Sequence, residues 1–558
     1  MMKRLYTTLL FLAIASITLF AQTPGWASKA IKSIFTITTF KDDGSLLSSA
    51  NGFFVGSNGE AVSSFSPFRG ASSAVIVDAS GKKYNVDCML GANEIYDVAK
   101  FHVAGIKSQP LTVSSEAESI GSTVWILPYS IKNPVCQQGT ITNAEQFQTS
   151  YTYYTVSLKS PENCISCPFI NQKGEVIGIY QPAANTNSGE SYAVSATFAS
   201  SMKISGLSIN ESALKSTKIK IDLPDDVNQA IVTLYMASQG DQDKYNEIVE
   251  QFINKFPNTD DGYIARAQIN AGKEDYVGAK SDMERAIKVA DKKDDVHYNY
   301  SKLIYQKEMY KSDKVFKDWN LDLAYQEAKK AFDINPVPMY KYQMAQILYT
   351  QGKYQDAYNT YIELTKTSFR NGQIFYEAAQ SKTQLKSPNE EILALLDSAV
   401  NCYNKPYLKE AAPYILARAS QLDNMGKYRE AVADYNDYEN LMKTEINDRF
   451  YYIREQSEVN AHIYQQALND IAKAIEINPN EATYYAEQAN LMLRVNMLDD
   501  ALKSAIKCTT MAPEYSEGYL VLGIIQIKKE NKVDGLQNLQ KAKSLGNNQA
   551  DALIQKYK

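Results

Sequence analysis

Residues 464–479 read YQQALNDIAKAIEINP, and residues 498–513 read LDDALKSAIKCTTMAP, which repeats the same pattern 34 positions later. The small residues Ala467, Ala501 and Gly535 follow that interval of 34. A period of 34 residues is typical of helix–turn–helix repeats. Four and seven residues after each small position stands another small or apolar side chain, which gives each unit a stripe that a second helix can approach closely. The last third of the chain is therefore predicted to consist of stacked helix pairs.

This pattern resembles that of the tetratricopeptide repeat (TPR) family, in which a Leu-Gly pair and a closing proline accompany the small residues. Leu522 and Gly523 match that pair in the last unit. The resemblance implies an all-α TPR solenoid over residues 225–558, with about nine helix pairs and a polar C-terminal cap. One unit departs from the family, because Arg454 and Glu455 stand at positions that are expected to be apolar and small.

The chain between residues 28 and 203 follows a different periodicity. Its apolar residues recur every two positions in short β-branched or aromatic runs, such as SIFTITT at residues 33–39. Turns rich in Gly, Asn, Ser and Pro separate these runs, which predicts an all-β sandwich or a pair of barrels. Residues 204–224 are polar and lead into LPDD at residues 223–226, so they are predicted to be a linker to the helices.

Four segments of this β region resemble the trypsin-like protease domain of the HtrA type. They are NGFFV at 51–55, NGEAVSSFSP at 58–67, YDVAKFHV at 96–103 and CISCPFINQKGEVIGI at 164–179. In that family the first segment leads to the catalytic His, and the other three carry the His, the Asp and the nucleophilic Ser. The order and the spacing agree, so the resemblance implies a trypsin-like double β-barrel over residues 28–203. The whole chain is then multidomain, with all-β barrels followed by an all-α solenoid.

Two of the three catalytic positions lack the residue that the chemistry requires. By the resemblance, Asp97 occupies the Asp position, but Ser66 stands where the His belongs and Ile165 where the Ser belongs. Acyl transfer by this mechanism needs a nucleophile whose proton an imidazole removes. The degenerate triad therefore predicts a pseudoprotease that is not an enzyme.

Ser166 and Cys164 flank the lost nucleophile, but either one would still need a base. The β region has a single histidine, His102, which stands five residues after Asp97 on the same predicted strand. That spacing puts it on the opposite face and ~17 Å along the strand, beyond hydrogen-bond reach. An active peptidase with an unconventional serine or cysteine site is the alternative interpretation.

Residues 1–21 are predicted to be an export signal peptide, with cleavage after Ala21 or as late as Ala27. Two basic residues, Lys3 and Arg4, precede an apolar run that is short for a membrane span. An uncleaved anchor is the lesser alternative. The mature protein is expected in the periplasm or the cell envelope, without a transmembrane segment.

The cysteines of the β region are predicted to form a structural disulfide, Cys136 with Cys164 or Cys167, because an exported protein meets an oxidising compartment. The C-x-x-C spacing of Cys164 and Cys167 also fits a redox pair, although no helix follows it. No cofactor is predicted. No metal site is predicted either, since zinc needs four ligands and no His pair lies near these cysteines.

A TPR array offers a concave surface, formed by the first helix of each pair, on which peptides or partner helices bind. The candidate peptide-binding residues are Asn490, Arg494, Gln526 and Lys529. A net charge of −5 and the lack of a basic run argue against nucleic-acid partners. The sequence predicts an exported protein–protein interaction scaffold in a cell-envelope complex, with outer-membrane or secreted proteins or peptides as partners. A periplasmic holdase chaperone is a further alternative.

Overall fold

The structure, a computed structural model, describes residues 23–131, 135–148, 150–159, 163–183, 189–310 and 314–558. The predicted signal peptide, residues 1–21, lies outside these described residues. The chain forms two compact units, of which the first ends at Ile269 and the second begins at Asn270.

The strands of the first unit form two closed antiparallel barrels. The first barrel contains β1 (Ile34–Phe40), β2 (Leu46–Phe54), β3 (Glu60–Ser63), β4 (Ser73–Val77), β5 (Lys83–Asn93) and β6 (Val98–Val103). The second contains β7 (Thr123–Ile126), β8 (Gln137–Phe147), β9 (Tyr151–Ser157), β10 (Pro168–Ile170), β11 (Val176–Pro182) and β12 (Ser191–Ser195). The strand order β1-β2-β3-β6-β5-β4 recurs in the second barrel as β7-β8-β9-β12-β11-β10. Both barrels therefore have the same topology.

The period of two in the sequence explains how the barrels pack. On β1, Phe35 and Ile37 fill the interior of the first barrel, while the alternate residue Ile34 faces a second cluster with Ile170 and Val194 of the other barrel. Successive strand side chains point to opposite faces, so one strand serves both clusters. Burying each large apolar side chain contributes about 1.5–3 kcal/mol, which makes the two barrels one packed body.

The predicted linker, residues 204–224, packs onto the first barrel. Leu214 and Ile219 lie in that barrel's core. The backbone N–H of Met89 donates to the carbonyl of Lys220 at 2.7 Å, which extends the hydrogen bonding of β5 into this segment. Sequence composition showed the polar residues of the segment, but the apolar residues between them fix its position.

Three short helices belong to the first unit: α1 (Ala27–Ala30), α2 (Ala196–Ser201) and α3 (Ser212–Lys215). Four 3-10 turns occur at Ile31–Ser33, Ser66–Phe68, Ser208–Asn210 and Lys409–Ala411. The first unit also contains the opening helices of the α-helical region, α4 (Val227–Ser238), α5 (Gln242–Lys255) and the start of α6 (Asp261–Gly272).

The remaining helices follow one another with short turns. They are α7 (Tyr276–Val289), α8 (Lys293–Tyr310), α9 (Leu321–Ile334), α10 (Pro338–Thr350), α11 (Tyr354–Leu364), α12 (Gly372–Gln384), α13 (Asn389–Val400), α14 (Ala412–Asn424), α15 (Tyr428–Met442), α16 (Asp448–Asn460), α17 (Tyr464–Ile477), α18 (Ala482–Arg494), α19 (Leu498–Met511), α20 (Ser516–Lys528), α21 (Lys532–Ser544) and α22 (Ala550–Tyr557). Within the described residues, eighteen helices, α4 to α21, precede α22 along the chain. The predicted fold class, a double barrel followed by an all-α solenoid, is confirmed.

Small residues lie where the two helices of a pair approach each other. Ala467 and Ala501 have no exposed surface, and Gly535 is buried. In the last pair, a Cβ added to Gly523 of α20 would lie 2.8 Å from the carbonyl oxygen of Gly535 and 2.9 Å from Cγ of Leu539. The Leu-Gly position of the repeat is therefore required to be Gly here by the backbone of the facing helix.

We expect Gly523→Ala to destabilise the second unit, because the added methyl group meets backbone that cannot move away. Overpacking of this kind costs about 1–3 kcal/mol. The matched control is Gly272→Ala, at which a Cβ meets nothing within 4 Å, and which is expected to be neutral or stabilising by up to about 1 kcal/mol. Urea unfolding followed by circular dichroism measures both variants. A Gly523→Ala protein as stable as the parent would contradict the close approach.

Candidate functional site

Asp97 and Ser66 are in contact. By the resemblance, they stand at the positions of the catalytic Asp and His. Asp97 sits in the turn between β5 and β6 with a φ of 49°. Its Oδ1 accepts hydrogen bonds from the backbone N–H and the Oγ of Ser66, both at 2.6 Å. Ser66 opens the 3-10 turn after β3. The carboxylate thus has a hydroxyl where a protease has an imidazole, and a serine hydroxyl is not a base near neutral pH.

The position assigned to the nucleophile carries an apolar side chain. The Ile165 side chain is 45% exposed at the loop before β10. Its carbonyl oxygen accepts from the backbone N–H of Asn51 at 3.0 Å and from Nδ2 of Asn51 at 3.1 Å. This loop is therefore tied to β2 through its backbone, while its side chain offers nothing to ionise.

The neighbouring hydroxyl of Ser166 is fully buried. Its Oγ donates to Oγ of Ser64 at 2.7 Å and accepts from the Ser64 backbone N–H at 3.1 Å. Ser166 has a φ of 66°, in the left-handed region. A hydroxyl held between two groups of Ser64 ties the loop to the end of β3 and is not presented to a substrate.

All six cysteines lie in described parts of the chain as free thiols, without a bond between Cys136 and Cys164 or Cys167, and that disulfide stays a prediction. Cys136 packs in the cluster between the barrels, whereas Cys164 and Cys167 lie in the interior of the second barrel. The Cys164 and Cys167 thiols instead hydrogen-bond to each other. This bond lowers the pKa of Cys164, while burial raises the pKa of Cys167.

All three histidines of the sequence lie in described parts of the chain. Each imidazole hydrogen-bonds to a group outside the positions assigned to the triad. His102 Nδ1 lies 2.7 Å from Oδ1 of Asp87, and its Nε2 lies 2.7 Å from the carbonyl oxygen of Asn58. His297 pairs with Glu327, and His462 with the Tyr464 hydroxyl. The hydrogen bonds that the structure gives these imidazoles therefore involve neither Ser66, Ser166 nor Cys164.

The four candidate peptide-binding residues of the solenoid have different surroundings. Lys529 forms an ion pair with Asp499, and Oε1 of Gln526 accepts from Nδ2 of Asn538 at 2.7 Å. On α18, Asn490 donates a hydrogen bond to Glu487, and the exposed Arg494 interacts electrostatically with the same carboxylate. The structure thus brings Asn490 and Arg494 together around Glu487 and places the other two in contacts within the solenoid.

A row of buried polar pairs crosses three consecutive helix pairs, and sequence reasoning missed it. Arg418 bonds to Asp434, Arg454 to Asp470, and Gln488 to Ser504, and the two members of each pair are 16 positions apart in the sequence. The Arg454 guanidinium is bidentate to Asp470 at 2.6 and 2.9 Å and also donates to Glu439 at 2.7 Å. The repeat of a polar pair at a fixed separation was visible in the sequence. Arg454 had instead been treated as a departure from the family pattern.

Acidic side chains are buried beside this row. Glu455 and Glu458 are each 1% exposed. Burial, together with the nearby charge of Glu487, raises the pKa of Glu455 to about 8. Burial and the charge of Asp470 raise the pKa of Glu458 to about 8. Burial also raises the pKa of Glu487. This part of the solenoid therefore holds protons on carboxyl groups at neutral pH.

We expect the stability of the second unit to fall as the pH rises from about 4.5, the ordinary value for Glu, to about 8. In that window the folded protein retains protons on Glu455 and Glu458 that the unfolded chain has released, so each rise in pH favours unfolding. The double variant Glu455→Gln/Glu458→Gln should lose this slope and gain on the order of 1–3 kcal/mol over the parent at pH 8. The control is Glu476→Gln, at an exposed position of α17. Denaturant unfolding across the pH range measures all three, and a double variant with the parental slope would refute the assignment.

No protein-family model matches the sequence. Over 86 residues the chain is 28% identical to the DnaJ homolog subfamily C member 7 homolog of Dictyostelium discoideum, which is 15% of this chain and 16% of that protein. Over 95 residues it is 28% identical to the small glutamine-rich tetratricopeptide repeat-containing protein 2 of Saccharomyces cerevisiae, which is 17% of this chain and 28% of that protein. The chain therefore spans less than a third of the length of these curated relatives.

Among solved structures, the active form of the Rv3671c protease from M. tuberculosis matches with 15% identity over 32% of this chain and 86% of that one, with a TM-score of 0.28. The serine endoprotease from Yersinia pestis matches with 14% identity over 32% of this chain and 65% of that one, with a TM-score of 0.27. Among the residues that the structure describes, no helix has both the length and the apolarity to cross a membrane. The chain thus has two closed six-stranded barrels and a C-terminal helical region, and a short part of the chain is similar in sequence to a tetratricopeptide repeat-containing protein.

Proposed function

We propose that this protein is an exported interaction scaffold, whose trypsin-like barrels have lost peptidase activity and whose helical region binds protein partners. The observation that carries the loss of activity is the pairing of Asp97 with the Ser66 hydroxyl. A triad carboxylate acts by orienting and stabilising an imidazole, and here it has no imidazole to orient.

The side chains next to Ile165, which stands at the position of the nucleophile, also support the loss of peptidase activity. Oγ of Ser166 is fully buried and bonded to Ser64, so it lacks both a base and access to a substrate. Cys164 is buried with Cys167 in the interior of the second barrel. Losing the general base and nucleophile removes most of the rate enhancement of such an enzyme, and only a residual effect of binding remains.

Export to the periplasm or cell envelope rests on the basic and apolar amino terminus, and packing favours one of its two cleavage points. Trp26 lies with its ring 6.2 Å from the ring of Trp125, and Ala27 is fully buried. Cleavage after Ala27 would remove Trp26 from that contact, whereas cleavage after Ala21 would leave it intact. We therefore assign the mature amino terminus to a position before Trp26.

The partner-binding surface that we propose lies on α18, where Arg494 is exposed and Glu487 and Asn490 are half-buried. Glu487, Asn490 and Arg494 form a connected polar group there, which offers a protein or peptide both hydrogen bonds and charge. The relatives with TPR sequences support protein partners as a class. We propose that the partners are other proteins of the envelope, because the signal peptide places the chain among them.

The first test is chemical. The purified protein is expected to show no turnover of casein and no labelling by a fluorophosphonate or by an epoxide probe for active cysteines, while trypsin and papain react in the same buffer. Labelling that disappears in Ser166→Ala or Cys164→Ala would overturn the loss of activity. It would favour the active peptidase instead.

The second test maps the partner surface. A photocrosslinking amino acid at Arg494 is expected to capture a discrete partner in living cells, whereas the same amino acid at Lys507, exposed on α19, is not. The products are separated by mass and identified by mass spectrometry. Equal capture at both positions would contradict the assignment to α18, and a smear of many unfolded clients at Arg494 would favour a holdase.

A further inference from the structure

The pairing of β5 with β6 contains an irregularity that brings the side chains of Asp87, Cys88 and His102 together. Val86 lies opposite Val103 and Cys88 opposite His102, so Asp87 is an extra residue in β5. Such a β-bulge sets two residues of one strand against one residue of its partner and redirects a side chain. Without it, Asp87 and Cys88 would point to opposite faces of the sheet.

As a result, the ligand atoms of Asp87, Cys88 and His102 all lie within 4.8 Å of one another. They comprise a carboxylate oxygen, a sulfur and an imidazole nitrogen, which are the three kinds of ligand atom that zinc takes in proteins. The sequence predicts no metal site, because no His pair lies near Cys164 and Cys167. Asp87 and His102 are 15 positions apart and on separate strands, so no short motif in the sequence indicates this cluster.

The hydrogen bonding of His102 leaves one ring nitrogen directed at the cluster. Nε2 lies 2.7 Å from the carbonyl oxygen of Asn58, which can only accept, so Nε2 carries the hydrogen. Nδ1 lies 2.7 Å from Oδ1 of Asp87. In the neutral ring, Nδ1 of His102 and Oδ1 of Asp87 present lone pairs to each other. Their contact is stable only if a proton or a cation lies between them. A backbone carbonyl on the far nitrogen is also the usual way in which proteins orient a metal-binding imidazole.

We propose that Asp87, Cys88 and His102 form a binding site for a divalent zinc ion on the first barrel, with a fourth position open to water or to a ligand from another molecule. Thiolate and imidazole ligands favour zinc over magnesium and calcium, which prefer oxygen. Three protein ligands with one open position also occur in known zinc sites. Tetrahedral bonds of about 2.0–2.3 Å put the ligand atoms about 3.3–3.7 Å apart, so the cluster must contract by about 1 Å on its longest side.

A zinc ion can reach this cluster from solvent. The side chains of Asp87 and His102 are 45% and 31% exposed, while Cys88 is 8% exposed beneath them. The carboxylate of Asp222 adds negative charge near the Cys88 thiol, but its Oδ2 accepts from Nζ of Lys255 at 3.1 Å. The protein therefore supplies three ligands. A bound zinc ion would join β5 to β6 across the bulge.

The test uses the full chain, stripped with a chelator and titrated with zinc chloride by calorimetry. One equivalent of zinc is expected to bind at this cluster, and Asp87→Asn, Cys88→Ser and His102→Gln should each weaken its affinity at least about tenfold. The matched controls Cys402→Ser and His462→Gln should leave it unchanged. The double variant Cys164→Ser/Cys167→Ser should also retain it, which separates this site from the other cysteine pair.

A second measurement does not depend on how well the variants fold. Cobalt chloride added to the unaltered protein should give the intense visible bands of a tetrahedral ion and a near-ultraviolet thiolate band, and zinc should displace both. The proposal is overturned if no stoichiometric zinc binds, because His102 and Asp87 then form only an ion pair. It is equally overturned if binding disappears in the Cys164/Cys167 variant but persists in Cys88→Ser.

Discussion

Gly523 and Gly535 face each other across the last helix pair, each with its missing Cβ directed at the carbonyl oxygen of the other. Side chains at these positions would force the helices apart, and the apolar residues around them would lose their contacts. Ala501 and Ala467 have the same role one and two units earlier, with no exposed surface. The small residue at the crossing is therefore the constraint that sets the spacing of the helix pairs, and the other features of the solenoid are built around it.

Because the helices pack closely, the polar pairs between them are largely removed from water. A charge there is unfavourable unless another group compensates it. Arg454 is 3% exposed, and its charge is compensated by Asp470 and Glu439. Although burial disfavours its charge, hydrogen bonds from Arg454 and Lys473 lower the pKa of Glu439 to about 2. Glu458 lies 3.8 Å from Nε of Arg454, yet burial and the charge of Asp470 raise its pKa to about 8. Burial and the charge of Glu487 raise the pKa of Glu455 to about 8 as well. The ionisation of a buried carboxyl group here thus depends on the hydrogen bonds that it accepts and on the neighbouring charges.

In the barrels, the polar groups around Asp97 are likewise satisfied by hydrogen bonds. The carboxylate that a protease would use to hold an imidazole is satisfied by the backbone and hydroxyl of Ser66, and Ser166 is bonded to Ser64. The hydroxyl of Ser166 is fully buried, and without a partner it would cost about 1–3 kcal/mol. Hydrogen bonds therefore satisfy the polar groups at this place in the barrels. The irregular pairing of β5 and β6 leaves a second polar cluster on the same barrel.

The sequence by itself determined the class of each half of the chain. Apolar residues on one face leave a period of two in a strand and of about 3.6 in a helix, and the helix pairs recur every 34 residues. The sequence also predicted Ser66, Asp97 and Ile165 as the triad positions by resemblance, and this assignment stays a prediction. Only the tertiary structure decided what depends on contacts between distant residues. It docked residues 204–224 on the barrel, kept Cys136 apart from Cys164, and grouped Asp87, Cys88 and His102. Local periodicity records which face of an element is buried, but it carries no information on which distant element covers that face.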